Sequence, residues 1–115
     1  MEYREGKEST FTHFGKEYYV DDLIALTNGE KPRLISVSQL DWIFDYTTPD
    51  PERVENASLH YPLIVTRDFV DGKDRFIVVD GTHRLAKAVK LGKKQVYCYL
   101  LNKHDVKALP QVKHK

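Results

Sequence analysis

The sequence predicts a small α+β domain built from a mixed β-sheet and short helices. Three features predict this class: a β-hairpin signal at Asp71-Gly72, a strand that runs through a glycine turn into a helix over residues 76–92, and an alternating segment over residues 95–101. Strands interrupted by single helices in a chain of 115 residues indicate one sheet and one core. We therefore expect residues 1–115 to form a single domain.

The N-terminal part of the chain carries mixed signals. Residues 1–16 are polar, and we expect them to be flexible, like residues 111–115 at the other end. Asp21 or Asp22 is a candidate N-cap for a short helix that stops at Asn28-Gly29. Four aromatic side chains are predicted to fill the edge of the core. They are Phe11, Phe14, Tyr18 and Tyr19.

The middle of the chain predicts a strand followed by two helices. Residues 33–37 alternate between the two faces, as a half-buried strand does. Ser38 is a candidate N-cap for a helix that carries Leu40, Ile43 and Phe44. Asp50 followed by Pro51 fits an N-cap and a first helical residue, so a helix of one or two turns is expected there.

The next segment predicts a hairpin and then a helix. Residues 63–66 and 75–79 are expected to pair antiparallel around the turn. The run from Phe76 to Val79 is apolar and rich in β-branched residues, which is typical of a central strand. Thr82 is predicted to cap the following helix, and Gly92 to end it in the left-handed conformation. The predicted core positions of this helix are Leu85, Ala88 and Val89.

The last predicted strand covers residues 95–101 and contains Cys98, the one cysteine. Alternation places Cys98 on the same face as Val96 and Leu100. We therefore expect Cys98 to be a buried, unreactive side chain.

Composition excludes several classes of protein. The formal net charge is +1, so no overall basic field indicates nucleic acid. No apolar run approaches the ~20 residues that a membrane-spanning helix needs, and the start of the sequence has no signal-peptide pattern. A single cysteine allows no intramolecular disulfide, which suits the cytoplasm.

The strand–turn–helix segment has the features of an anion site. The first amide groups of a helix lack intrahelical acceptors, and the helix dipole favours negative charge there. His83 and Arg84 add donors beside those amides, and a guanidinium can bind two phosphate oxygens at once. The alternative is an ordinary capped turn with His83 and Arg84 in solvent.

The segment from Asp80 to Gly92 resembles the signature of the ParB/sulfiredoxin fold family, in which a glycine turn precedes His-Arg, an alanine-bearing helix and Leu-Gly. Two upstream segments are also similar. Residues 35–40 resemble the family's "I-x-V-x-x-L" opening, and residues 61–65 resemble its "x-P-I-x-V" strand. The resemblance covers about residues 33–101 and implies the family's α+β fold.

The resemblance also implies a ligand. In nucleotide-binding members, the glycine turn and the residues after it hold phosphates, which implies that role here for Gly81, Thr82, His83 and Arg84. Asp80 would hold Mg²⁺ with a nucleoside triphosphate, or would only stabilise the turn. Sulfiredoxins carry a cysteine about where Thr82 stands, so reduction of sulfinic acids is not expected.

Some relatives hydrolyse nucleotides or transfer phosphoryl groups, which extends the hypothesis to an enzyme. A kinase needs a base for the acceptor hydroxyl as well as phosphate contacts. Four acidic residues are candidates between which the sequence does not choose: Asp45, Glu52, Glu55 and Asp68.

DNA binding is the second hypothesis. Residues 83–94 contain basic residues and no acid, and the candidate contacts are Arg84, Lys87, Lys90 and Lys94. Further lysines follow at positions 103, 107, 113 and 115. ParB relatives bind DNA mainly through a helix-turn-helix domain after the signature, which we do not expect in a sequence that stops at Lys115. The alternative is a solvated lysine face.

The third hypothesis is a non-catalytic module that binds a protein partner through the same fold. It predicts an exposed apolar patch, for which Trp42 and the N-terminal aromatic residues are candidates.

Overall fold

The computed structural model describes residues 10–113, which form two sheets with four α-helices around them. The strands are β1 (Thr10–His13), β2 (Lys16–Tyr19), β3 (Arg33–Ser36), β4 (Leu63–Val70), β5 (Lys73–Asp80) and β6 (Gln95–Leu101). The helices are α1 (Val20–Ala25), α2 (Pro51–Asn56), α3 (Thr82–Lys90) and α4 (Lys103–Lys107). Two 3-10 helices cover Val37–Gln39 and Asp41–Asp45.

The main sheet has the strand order β3-β6-β4-β5 and is mixed, because β4 runs parallel to β6 while the other pairs are antiparallel. This confirms the predicted α+β class. The predicted hairpin is also confirmed: Asp71 and Gly72 join β4 to β5 with φ of 51° and 77°. Positive φ at both turn residues matches the right-handed twist of the paired strands.

The sheet buries a cluster of side chains on each face. On one face, Leu63, Val65 and Cys98 pack with Leu40 of the 3-10 segment and Leu85 of α3. On the other face a smaller cluster joins the sheet to α1 and α4: Leu23, Ile64, Leu101 and Val106. Cys98 is fully buried, as predicted, and burial raises the pKa of its thiol to about 12.

The prediction of a central strand at residues 76–79 is wrong, because β5 is an edge strand. Of these four residues only Val78 is buried. The indole N–H of Trp42 donates to the Phe76 carbonyl at 2.9 Å, so Trp42 is tied to this strand. An apolar run therefore marked a strand here without specifying its place in the sheet.

Several predicted helix caps differ from the structure. Asp50 does cap α2, accepting from the Glu52 amide at 3.0 Å, with Pro51 as first residue. Neither Asp21 nor Asp22 caps α1, where the N-cap is Tyr19. Ser38 lies inside a 3-10 helix, and residues 40–44 form no α-helix. Both errors come from short segments whose ends are fixed by packing and not by a side-chain cap.

The ends of the described chain pair with each other. Thr10–His13 and Lys16–Tyr19 form a hairpin, and Gln111 makes an isolated bridge to Tyr18. Positions 10–13, 16 and 111, which fall in the segments expected to be flexible, are therefore paired. The rest of that expectation concerns residues 1–9 and 114–115, which lie outside the described residues. Lys115, one of the further lysines considered for DNA binding, also lies outside them. Tyr18 and Tyr19 are buried as predicted, whereas Phe14 is 52% exposed.

None of the helices within residues 10–113 is both long and apolar enough to cross a membrane.

Candidate functional site

A pocket of about 490 Å³ lies where β5 ends and α3 begins. It is bounded by α2 and the segment after it on one side and by the glycine turn on the other. The lining residues are Arg53, Ala57, Ser58, Tyr61, Val79, Asp80, Gly81, Thr82, His83 and Arg84. The structure therefore brings together all five residues that the sequence assigned to the phosphate and metal site.

Glycine is required at position 81 by geometry. Its φ is +110°, and a Cβ there would lie 2.9 Å from Leu63 Cγ in the core. Gly81 is also the N-cap of α3, so the predicted cap at Thr82 is wrong. Thr82 is instead the first helical residue and lines the pocket.

The first amide groups of α3 remain free for a ligand. The first α-helical bond at this end joins Leu85 N to Gly81 O at 2.9 Å. The amides of Thr82, His83 and Arg84 meet no acceptor within residues 10–113. Unpaired amides at the start of a helix are suited to an anion.

Arg84 is held by the protein itself. One of its terminal nitrogens donates to the Pro62 carbonyl at 2.8 Å and to the Tyr61 carbonyl at 3.3 Å, and the other donates to Asp80 Oδ2 at 2.8 Å. Its side chain is 19% exposed. These bonds join the start of β4 to the end of β5, so Arg84 shapes the pocket wall.

Asp80 has one oxygen committed to Arg84, while its Oδ1 accepts no hydrogen bond within residues 10–113. It is the one acidic residue among those that line the pocket, and residues 10–113 contain no cluster of three or more metal-binding side chains. Mg²⁺ is commonly held by one or two carboxylates together with substrate phosphates. Asp80 fits that limited role through Oδ1.

His83 faces α2. The Asp50 amide donates to His83 Nε2 across a long distance of 3.4 Å. Burial lowers the pKa of His83, and the charge of Arg53 lowers it further, while Asp50 raises it. His83 is therefore neutral at pH 7, with Nε2 as the acceptor.

Sequence reasoning missed Arg53, which lies on α2 at the opposite side of the pocket. Its side chain is exposed and has no ion-pair partner within residues 10–113. Ser58 and Tyr61, also missed, add two hydroxyl groups to the same wall. No local motif marks these residues, because only the packing of α2 against α3 brings them to the pocket.

The basic face of α3 packs against α2. Lys87 Nζ donates to the carbonyls of Glu55 and Ala57 at 2.8 and 2.9 Å, and Lys90 Nζ lies 2.7 Å from Glu55 Oε2. Two of the lysines predicted to contact DNA are thus engaged within the protein. Lys94 is exposed in the turn before β6.

The four candidate bases lie outside the pocket lining. Glu55 pairs with Lys90, which lowers the pKa of its carboxyl. Asp68 is buried near α4, where its contact with Lys107 lowers the pKa to about 2. Asp45 and Glu52 are exposed elsewhere.

The apolar surface matches the one predicted for a partner-binding module only at Phe14, which is 52% exposed. Trp42 is half-buried against β5, and Tyr18 is buried. The exposed apolar side chains that lie together are instead Leu34, Tyr61 and Tyr97.

Comparison with known proteins finds structural neighbours. No protein-family model matches the sequence, and the search of curated proteins finds no match. The chain is similar to a crystal structure of sulfiredoxin from Arabidopsis thaliana, with a TM-score of 0.47 and 18% sequence identity. The match covers 67% of this chain and 93% of that chain. This likeness concerns the fold alone.

Proposed function

We propose that the pocket at residues 80–84 binds a ligand that carries phosphate, of which a nucleotide is the favoured class. The observation that carries the proposal is that the free N-terminus of α3 lines one pocket together with Arg53, which has no ion-pair partner within residues 10–113. Helix amides and an arginine are the donors that phosphate groups prefer. The pocket volume of about 490 Å³ is within the range of small-molecule sites.

In this proposal the residues that line the pocket have different roles. The amides of Thr82 and His83 and the guanidinium of Arg53 contact the phosphate. Arg84 is a positioning residue in this proposal, because three of its five N–H donors are already used by the protein. Asp80 would hold Mg²⁺ when the ligand is a nucleoside triphosphate, and the chemistry supplied there would be neutralisation of phosphate charge.

Hydrolysis or phosphoryl transfer would extend this proposal to catalysis. It needs a group that accepts a proton from the attacking oxygen. Neutral His83 is the lining side chain whose pKa is lowered, and it lies next to the helix amides. Measured turnover would have to disappear in His83→Asn for this extension to hold.

DNA binding by the α3 face has less support. Lys87 and Lys90 already donate to α2, and a DNA phosphate would have to displace those bonds. DNA binding stays a prediction, to be tested if no small phosphate ligand binds.

The test is thermal unfolding with ATP, CTP, GTP or inorganic phosphate, each with and without Mg²⁺. A ligand at a hundred times its dissociation constant should stabilise the fold by about 2.7 kcal/mol, or roughly 10 °C for a domain of this size. Arg53→Gln should weaken binding at least tenfold at unchanged intrinsic stability. Arg33→Gln, which changes an exposed arginine outside the pocket lining, is the matched control.

The proposal is wrong if no compound in this panel stabilises the wild-type protein. Equal binding by wild type and Arg53→Gln would instead remove Arg53 from the site and leave the helix amides as the binding element.

A further inference from the structure

Strand β3 is an edge of the main sheet with free backbone groups on its outer side. Val37 N donates to Lys94 O at 2.9 Å, and hydrogen bonding alternates along an antiparallel pair. The amide of Ile35 therefore also points toward β6, whereas those of Leu34 and Ser36 point away from it. No strand within residues 10–113 pairs with that outer side.

A small apolar cavity lies beside this edge. Leu34 and Tyr97 are directly opposed on β3 and β6, and their side chains are 48% and 57% exposed. They line a cavity of about 210 Å³ together with Tyr61, which is 62% exposed. Lys93 is the one charged residue in this lining.

Several exposed cations, with Glu30 as an acidic neighbour of Lys31, lie at the ends of the two strands beside the cavity. Four exposed cations immediately precede or begin the two strands: Lys31, Arg33, Lys93 and Lys94. None of them has an acidic partner within residues 10–113. This contrasts with Lys90, which is neutralised by Glu55. Unpaired cations around an apolar cavity are complementary to a ligand with both negative and apolar side chains.

We propose that the β3 edge binds an extended acidic segment of a protein partner. The segment adds a strand beside Leu34 and places an apolar side chain in the cavity, while its acidic residues face the four cations. This surface goes beyond the proposed phosphate site, with which its lining shares one residue, Tyr61.

Edge strands that avoid pairing usually carry a charge, a proline or a bulge on the exposed edge. Strand β3 is short and follows Pro32, which limits pairing at its start, but its central position with outward backbone groups is the uncharged Leu34. The strand pairs with β6 without a register shift. The arrangement therefore leaves the middle of the edge available for pairing and places charge where it can select a partner.

The test uses nuclear magnetic resonance of the amides and two short synthetic peptides, one alternating glutamate with valine and one alternating lysine with valine. We expect the glutamate peptide to shift the amides of Leu34, Ser36 and Tyr97 and to bind at least tenfold more tightly than the lysine peptide. High salt should weaken this binding, because the cations are exposed.

Two variants locate the interaction. Leu34→Pro removes an amide that β6 does not use, so β3 should still pair while peptide binding is lost. The double variant Lys93→Glu, Lys94→Glu should weaken the glutamate peptide at least tenfold. Lys73→Glu, at the exposed start of β5, is the matched control and should leave binding unchanged. If Leu34→Pro does not fold, the charge variant decides.

Three outcomes overturn the proposal: no binding of the glutamate peptide, equal binding of both peptides, or amide shifts that map elsewhere. Sedimentation of the wild-type protein addresses a second copy as the occupant. A dimer that Leu34→Lys dissociates would assign this edge to self-association and would also overturn it.

Discussion

Replacement of Arg84 by alanine tests whether this arginine shapes the pocket or contacts the ligand. Its side chain donates to Tyr61 O, Pro62 O and Asp80 Oδ2, and it packs close to Gly81. If these bonds are its function, Arg84→Ala should destabilise the protein in the absence of any ligand.

The magnitude follows from the bonds that are lost. Each of the two bonds to backbone carbonyls contributes about 1 kcal/mol net. The ion pair with Asp80 is 31% exposed on the aspartate side, so we assign it less than about 1 kcal/mol. The free energy of unfolding should therefore fall by about 2–3 kcal/mol, which lowers the melting temperature by roughly 10 °C.

Urea unfolding of the ligand-free protein measures this change. The matched control is Arg67→Ala, which removes an Arg–Asp pair of similar length, 2.9 Å to Asp74, whose side chains are 53% and 46% exposed. That variant should lose less than about 1 kcal/mol. The reasoning is refuted if Arg84→Ala is as mild as Arg67→Ala and yet abolishes ligand binding, because Arg84 would then be a ligand contact.

Three further predictions follow from burial and backbone geometry. Gly81→Ala should cost more than about 2 kcal/mol in urea unfolding, because a Cβ would approach Leu63, while Gly92→Ala, with a φ of +73° but open space, should cost about 1 kcal/mol. Asp68 has a native pKa of about 2 against 3.8, so it adds stability above pH 4 that is lost as the pH falls toward 2. Asp68→Asn should show a flatter acid limb in pH-dependent unfolding, and an unchanged limb would contradict this. Cys98 should react with a thiol reagent at pH 8 only at the rate of unfolding, and fast labelling of native protein would disprove its burial.

Elements with strong local signals could be predicted from the sequence. The Asp71-Gly72 turn fixes positive φ at two residues, and it therefore located the β4–β5 hairpin. Asp50 and Pro51 located the start of α2 because the cap is formed within three residues of sequence. Gly92 marked the end of α3 in the same way, with a φ of +73°.

Elements that depend on distant packing were missed or misplaced. The β1–β2 hairpin is bridged through Tyr18 to Gln111, more than ninety residues away along the chain. Strand β5 lies at the edge of the sheet because β6 pairs with β3 and β4 and not with β5. Neither contact has a local signature.

The candidate site shows the same division between residue type and residue role. The sequence indicated donors at positions 83 and 84, and both lie at the pocket. It did not indicate that Arg84 is already bonded to Pro62, or that Arg53 would face the helix N-terminus. A periodic pattern shows which side chains share a face, whereas their role depends on what that face meets.

The lysines of α3 show this most clearly. Spacing alone placed Lys87 and Lys90 on one face, which suggested a surface for DNA phosphates. In the structure that face meets α2, where Glu55 accepts from both lysines, through its carbonyl and its carboxylate respectively. The contact between α2 and α3 therefore engages Lys87 and Lys90 within the protein, which leaves fewer cations on the proposed DNA surface. The same contact places Arg53, which has no ion-pair partner within residues 10–113, at the phosphate pocket. For this reason the phosphate site has more support than the DNA surface.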